Sequence, residues 1–169
     1  MRAVSPRRLP LSRSGAYFRM RRDLGKPIAP AELPAELRLV PFEIDVARAC
    51  RALMNRVYAD GFGDVVEFDA WWRWLTGDDD YDPRLMFVAA RDGEVVGFCH
   101  CWTGAFIKDV VVEPSARGTG LGAALVTMAL LAFRAHGASS VDLKTDVENV
   151  KAQSLYRSLG FEIVERAER

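Results

Sequence analysis

The sequence predicts a mixed α/β domain in which an antiparallel meander of strands is followed by a β-α-β half. Two observations predict this class. Apolar runs at residues 85–90, 94–102 and 105–112 are separated by short turns, and the first turn carries the hairpin dipeptide Asp92-Gly93. A glycine-rich segment then leads directly into an Ala- and Leu-rich helix, which is followed by another strand, helix and strand.

Each remaining element follows from periodicity and turn residues. Apolar residues alternate over 37–40, as in a short strand, and recur at helical spacing over 45–58. A tryptophan-rich stretch over 68–75 predicts a short aromatic helix. Glycine ends each later helix, as is usual at helix C-termini. The later elements are a helix at 120–136, a strand at 141–145, a helix at 149–159 and a strand at 161–164.

Composition limits the classes of partner. The 169 residues are half hydrophobic, which suits one domain with a sizeable core. The formal net charge is zero, so no overall charge favours nucleic acid or a membrane surface. No apolar run is long enough to span a bilayer. We therefore expect neither a nucleic-acid nor a membrane partner.

Residues 1–36 are predicted to be a basic extension and linker, ahead of a domain at 37–169. The first 22 residues are rich in arginine and contain no acid. That composition is typical of a mitochondrial transit peptide or of a mobile basic tail, and Pro6 and Pro10 favour the tail because they interrupt any amphipathic helix. Further prolines at 27, 30 and 34 indicate an extended linker.

The three cysteines predict neither a disulfide framework nor a metal site. Cys99 and Cys101 lie two residues apart in a strand, so they point the same way and could not readily bridge. The strand directs His100 to the opposite face, and no second ligand cluster follows. The third cysteine is Cys50. Because no disulfide is expected among the three cysteines, a reducing cytoplasm is the expected location of the protein.

Residues 113–122 predict a phosphate-binding loop. A strand ends at Val110-Val111-Val112, and Gly118, Gly120 and Gly122 then precede a helix. Glycines let backbone N–H groups turn toward one point, and the helix N-terminus adds unsatisfied donors and a positive dipole end. Such a site suits a pyrophosphate, with Arg117 and Thr119 adding side-chain groups. The alternative is a glycine-rich turn that only permits tight packing.

A second motif lies on the helix over 149–159. Asn149 and Tyr156 are seven positions apart, which is two helical turns, so they lie on one side. The alternative is a core helix in which Tyr156 is a packing residue.

Together the two motifs resemble those of the GNAT superfamily of N-acetyltransferases, over residues 37–164. The first motif resembles the family's coenzyme A pyrophosphate loop through Arg117-x-x-Gly120-x-Gly122. The second motif resembles the family's other cofactor motif through Asn149-x-x-Ala152-x-x-Leu155-Tyr156-x-x-x-Gly160-Phe161. The resemblance implies a GNAT-like sheet that splays between the strands at 105–112 and 141–145. It also implies acetyl-CoA as donor and direct attack of a primary amine on the thioester.

The resemblance assigns roles to individual residues. Main-chain groups of Val110 and Val112 would contact the pantetheine arm and the acetyl carbonyl, Asn149 would contact the cofactor near that arm, and Tyr156 would protonate the leaving thiolate. The expected cofactor-binding residues are Val110, Val111, Val112, Arg117, Gly118, Thr119, Gly120, Leu121, Gly122, Asn149, Ala152 and Tyr156.

The general base is not fixed by either motif. An alkyl amine has a pKa near 10, so a base must remove its proton before attack. Asp109 is the first candidate for the base, although it could equally be a solvated or hydrogen-bonded strand residue without a catalytic role. Looser candidates are Glu67, Asp69 and Asp78–Asp80. Trp71, Trp72 and Trp74 lie where the family builds its acceptor wall, but one helix cannot direct all three into a pocket.

One departure from the family concerns the last strand. The family usually has two strands after the Gly-Phe motif, and this chain has residues for one. Residues 16–24 could form a strand that takes the missing last position, in this chain or in a homodimer partner, and covers the sheet edge.

The expected activity is acetylation of a small-molecule or peptide amine. The alternatives are transfer of another acyl group or a non-catalytic acyl-CoA-binding module.

Overall fold

The computed structural model describes residues 15–169, so the transit peptide or tail predicted for the first 14 residues lies outside it. Seven strands in this range form one sheet, in the order β2-β3-β4-β5-β6-β1-β7. The strands are β1 (Ala16–Asp23), β2 (Arg38–Val40), β3 (Met86–Arg91), β4 (Glu94–Trp102), β5 (Phe106–Val112), β6 (Ser140–Asp146) and β7 (Glu162–Glu168). The helices are α1 (Ile44–Ala59), α2 (Phe68–Thr76), α3 (Leu121–Ala135) and α4 (Val150–Ser158).

The predicted fold class is confirmed, with small differences at element ends. The last strand runs to Glu168, four residues beyond the prediction at 164, because it pairs along β1. Ala105 lies outside β5, since its φ of 56° belongs to the turn after β4. Leu85 lies in a short 3₁₀ turn rather than in β3.

Strand β1 lies inside the sheet, between β6 and β7, and is antiparallel to both. It therefore belongs to the sheet of this chain, and β7 rather than β1 forms the edge. The buried Arg22 fixes its end, because the guanidinium donates hydrogen bonds to the carbonyls of Leu159 and Pro27, at 2.7 Å each. A domain boundary at residue 36 remains a prediction.

The sheet separates two cores. Helices α3 and α4 cover one face, where Cys99 and Cys101 are buried with Leu125 and Phe161. Helices α1 and α2 cover the β2–β5 part of the other face, where Trp71 packs against Phe98. The cysteines therefore share one face, as predicted from the strand period. Among residues 15–169, no helix is long and apolar enough to cross a membrane.

Strands β5 and β6 diverge, as predicted. They are parallel neighbours only at Phe106↔Asp142 and Ile107↔Leu143. The rest of β5, residues 108–112, continues without a partner in β6 and leaves a gap in the sheet. The gap positions the candidate site, because the loop before α3 and the start of α4 both open onto it.

Candidate functional site

An open cleft of about 1530 Å³ occupies the gap between β5 and β6 and reaches the helices on both faces of the sheet. Of the cofactor-binding residues predicted from sequence, only Thr119 does not line it. Those that do are Val110, Val111, Val112, Arg117, Gly118, Gly120, Leu121, Gly122, Asn149, Ala152 and Tyr156.

The loop before α3 exposes main chain to the cleft. Gly118 and Gly120 have φ values of 75° and 86°, which other residues adopt only with strain. A Cβ atom at either glycine would meet no atom within 4 Å, so open space lies beside both. Helix α3 starts after Gly120 without a side-chain cap, and its first N–H groups remain available to an anion.

Side chains of the loop contribute less than the sequence suggested. The Thr119 hydroxyl donates to the Ala116 carbonyl at 2.6 Å and so turns into the loop. Val111 and Leu121 are each at most 2% exposed, so these two residues can offer the cleft little beyond main chain. Arg117 lines the cleft and makes no ion pair within the described part of the chain.

Helix α4 presents Asn149 and Tyr156 to the cleft. Asn149 is the N-cap, and its side-chain oxygen accepts from the Ala152 N–H at 3.2 Å. Tyr156 is only 8% exposed, and its ring packs edge-on against Phe161. Its hydroxyl forms no hydrogen bond to any residue in 15–169. Burial raises the pKa of Tyr156, so at neutral pH the phenol keeps its proton and can donate it.

Asp109 lies on β5 at the other side of the same gap. Tyr58 on α1 donates its hydroxyl hydrogen to Asp109 Oδ1 at 2.7 Å, and Lys108 Nζ is 3.6 Å from Oδ2. Burial raises the pKa of Asp109, but the charge of Lys108 and the nearby His100 and Tyr58 outweigh burial and hold it well below its ordinary value. The carboxylate is therefore ionised at neutral pH.

The looser base candidates are placed less favourably. Asp78 and Asp80 line the cleft, but Asp78 Oδ1 accepts from the Asp80 N–H and Asp80 Oδ1 accepts from the Thr103 hydroxyl. Glu67, Asp69 and Asp79 do not line it.

The tryptophans of α2 divide between cleft and core. Trp74 lines the cleft, and its ring lies edge-on to Trp102 with centroids 5.4 Å apart. Trp71 also lines the cleft, but it is 1% exposed and packs mainly in the core, while Trp72 packs on Phe68 and does not line the cleft. As the helical spacing requires, the three rings do not share one pocket.

Two residues beside Asp109 were missed by the sequence reasoning: Tyr58 and His100. Tyr58 comes from α1, about fifty positions earlier, and nothing local in the sequence marks it. His100 is the direct cross-strand neighbour of Asp109 in the β4–β5 ladder. Counting back from the hairpin turn would have placed His100 opposite Lys108, because a bulge between His100 and Cys101 shifts the register by one residue. Within residues 15–169, no group of three or more His, Cys, Asp or Glu could hold a metal ion.

Comparison with known proteins gives consistent matches. The model of the acetyltransferase (GNAT) family matches residues 48–161. A protein named mycothiol acetyltransferase from Thermobispora bispora is 35% identical over 167 residues, covering 89% of this chain and 55% of the relative. Another of that name, from Acidothermus cellulolyticus, is 31% identical over 180 residues, covering 92% and 54%. The chain thus spans about half the length of the curated relatives it matches.

Solved structures share the fold. A GCN5-related N-acetyltransferase from Sphaerobacter thermophilus matches with a TM-score of 0.72, covering 92% of this chain and 50% of that chain. The sequence identity is 23%, so this likeness concerns the fold alone.

Proposed function

Because the chain belongs to the acetyltransferase (GNAT) family, we propose that it transfers the acetyl group of acetyl-CoA to the primary amine of a small molecule. One observation carries the proposal. A single cleft joins an uncapped helix N-terminus with two flanking glycines to a partly buried, ionised carboxylate, through the gap between β5 and β6.

The glycine loop fits the coenzyme. Backbone N–H groups around Gly118 and Gly120 and the first turn of α3 would hold the pyrophosphate, with Arg117 adding a cation. The free edge of β5 over residues 108–112 would hold the pantetheine arm through main-chain hydrogen bonds. Bound acetyl-CoA supplies the acetyl group as a thioester.

The residues at the gap suit amine acylation. Asp109 is ionised, so it can bind the acceptor ammonium and take a proton from it, as the base that amine attack requires. Unpaired N–H groups of β5 can stabilise negative charge that develops during acyl transfer. The Tyr156 hydroxyl keeps its proton and has no partner in the described chain, so it can protonate the leaving thiolate.

The curated relatives support a small-molecule acceptor. Both are named mycothiol acetyltransferase, so the amine precursor of mycothiol is the first acceptor to test. The ring of Trp74 and the carboxylates of Asp78 and Asp80 line the acceptor side of the cleft and suit a cationic amine.

An amine panel tests the proposal. The protein is incubated with acetyl-CoA and primary amines that include the mycothiol precursor and short peptides, and products are read by mass spectrometry alongside thiol release. We expect an N-acetylated small molecule, formed faster than any acetylated peptide. Acetyl-CoA binding without transfer to any amine would contradict the proposal and favour a non-catalytic acyl-CoA-binding module.

A further inference from the structure

His100 is the one residue in the described chain with buried side-chain nitrogens that lack a hydrogen-bond partner. Its side chain is fully buried, and neither Nδ1 nor Nε2 forms a hydrogen bond to another residue in 15–169. A buried polar group without a partner destabilises the fold, so an imidazole in this state calls for an explanation.

The surroundings of His100 are aromatic except on one side. Its ring lies against Trp102 at 4.3 Å, stacks on Phe98 at 6.2 Å and faces the edge of Trp74 at 6.3 Å. On the remaining side, Nδ1 is 3.5 Å from Oδ2 of Asp109, just beyond hydrogen-bond length. Phenylalanine would fill the aromatic space equally well, so packing alone does not account for the histidine.

The two atoms are close enough that a small movement would bring them to hydrogen-bond length. If the neutral ring carries its proton on Nε2, the Nδ1 lone pair points toward the carboxylate and the two atoms keep apart. A proton placed between them would pull the pair to hydrogen-bond length. Asp109 Oδ1 is already occupied by Tyr58, so Oδ2 is the oxygen that faces His100.

We propose that His100 stores the proton that Asp109 removes from the acceptor amine. This inference rests on the proposed acetyl transfer and names a second proton-carrying group for it. Asp109 touches the acceptor, whereas His100 lies behind Asp109 and acts through it.

An acceptor that binds as an ammonium loses two protons when it becomes an amide. Asp109 Oδ2 takes the first proton, which frees the nitrogen lone pair to form the C–N bond, and the carboxyl passes it on to His100 Nδ1. The second proton replaces the one that Tyr156 gives to the thiolate. After product release, the imidazolium returns its proton through Asp109 to solvent, so one proton leaves per turnover.

Charged groups around the pair set its pH dependence. Burial lowers the pKa of His100 below its ordinary value of 6.5. The neighbouring carboxylates of Asp109 and Asp78 oppose this effect, because each of them raises the pKa. Lys108 lowers it further, and Tyr58 and Arg51 approach Asp109 from α1. The imidazole is therefore neutral at pH 7 and able to accept a proton. Activity should fall at acidic pH, as protonation of His100 removes the acceptor.

His100→Phe tests the inference on the full chain. The variant keeps an aromatic ring but deletes both nitrogens, so the melting temperature should stay the same or rise. We expect kcat/KM for the amine to fall about 10²-fold, with the dissociation constant for acetyl-CoA unchanged. The acidic fall in kcat/KM that belongs to His100 should disappear. If the phenylalanine variant does not fold, His100→Gln serves, since the amide cannot accept a proton at pH 7.

A double variant and a control distinguish a proton carrier from a core residue. Asp109→Asn together with His100→Phe should be little slower than Asp109→Asn alone, because groups acting in one path are not additive. His136→Gln is the control, because the ring of this exposed histidine at the end of α3 hydrogen-bonds only the Ala132 carbonyl among residues 15–169.

Wild-type kcat/KM and an unchanged pH profile in folded His100→Phe would overturn the inference and leave the proposed function standing. Absence of acetyl transfer by the wild-type protein to every amine would instead overturn the proposed function, and this inference with it.

Discussion

The two halves of the cleft are built in different ways. On the half proposed to bind the cofactor (the cofactor half), a contiguous segment and the start of α3 present main-chain groups, and the positive φ of Gly118 and Gly120 makes this possible. On the half proposed to bind the acceptor (the acceptor half), side chains from α1, α2, β4 and β5 meet around Asp109, and, apart from its chain neighbour Lys108, the groups that approach Asp109 come from elements other than β5. The cofactor half is thus recorded in a local motif, and the acceptor half in strand register and helix packing.

The largest expected effect is on the cofactor half. Gly120→Asp places a side chain and a negative charge where the loop would receive phosphate, at a φ of 86°. We expect binding of acetyl-CoA to be lost, as measured by calorimetry, and transfer to be lost with it.

Gly137→Asp is the matched control for that variant. Gly137 follows α3, also has a φ of 86° and also has no atom within 4 Å of a Cβ position, but it does not line the cleft. The control should lose comparable stability yet bind acetyl-CoA normally. If the folded Gly120→Asp and Gly137→Asp variants bound acetyl-CoA with equal affinity, the loop at 118–122 would not be the site that holds the coenzyme.

The next effect separates binding from chemistry at the gap. Tyr156→Phe keeps the ring against Phe161 but deletes the hydroxyl, so stability and acetyl-CoA affinity should change little. Thiols are fairly good leaving groups, so turnover should fall by about 10²-fold, at the low end for general-acid catalysis. Melting temperature, affinity and turnover are measured on one preparation. Loss of stability with wild-type turnover per folded molecule would make Tyr156 a packing residue.

A smaller effect is expected at Tyr58, on the acceptor half. Tyr58→Phe removes a hydrogen bond to a charged oxygen, worth about 1.5 kcal/mol, so kcat/KM should fall roughly tenfold while acetyl-CoA affinity is kept. That bond helps to lower the pKa of Asp109, so its loss should raise this pKa and move any acidic fall due to Asp109 to higher pH. Wild-type kcat/KM in a folded Tyr58→Phe variant would show that the hydrogen bond from Tyr58 does not position Asp109 for the reaction.

The smallest effect concerns the anchoring of β1. Hydrogen bonds from Arg21 hold the pKa of Asp142 below its usual range against burial, with Arg19 adding to the effect. Both arginines are at least 40% exposed, so Asp142→Asn should cost only about 1 kcal/mol of unfolding free energy at pH 7. Because the folded pKa is depressed, this stability is present above about pH 3.9 and is lost as pH falls through the folded value.

Denaturant unfolding at several pH values checks the Asp142 prediction. Glu165→Gln is its control, since Glu165 lies opposite Arg19 on β7 without forming an ion pair in the described chain. A cost for Asp142→Asn that persists below the folded pKa would assign it to packing rather than charge.

Much of the fold could be predicted from the sequence. The hairpin at Asp92-Gly93 and the glycine ends of α3 and α4 are local signals, and strand β4 has the predicted bounds. Residues 16–24 were expected to form a strand, but the place of β1 inside the sheet, rather than at its edge, could not be predicted, because it depends on pairing across more than a hundred residues with β6 and β7.

The site was predictable to the extent that it is local. The segments at 110–122 and 149–156 were identified as cofactor-binding from their motifs, and these roles remain predictions that the cleft geometry supports. Thr119 illustrates the limit, because a hydroxyl in a glycine loop can bond inward or outward and here bonds Ala116. The neighbours of Asp109 arise from a bulged register and a distant helix, which no spacing in the chain records.

Hydrogen exchange with and without acetyl-CoA tests the division of the cleft most directly. Amide exchange in the free and bound protein is followed by mass spectrometry on peptides that cover both halves. We expect acetyl-CoA to slow exchange over 110–123 and 149–156 and to leave exchange over 68–80 unchanged. Slowed exchange over 68–80 with none over 113–122 would contradict this division of the cleft.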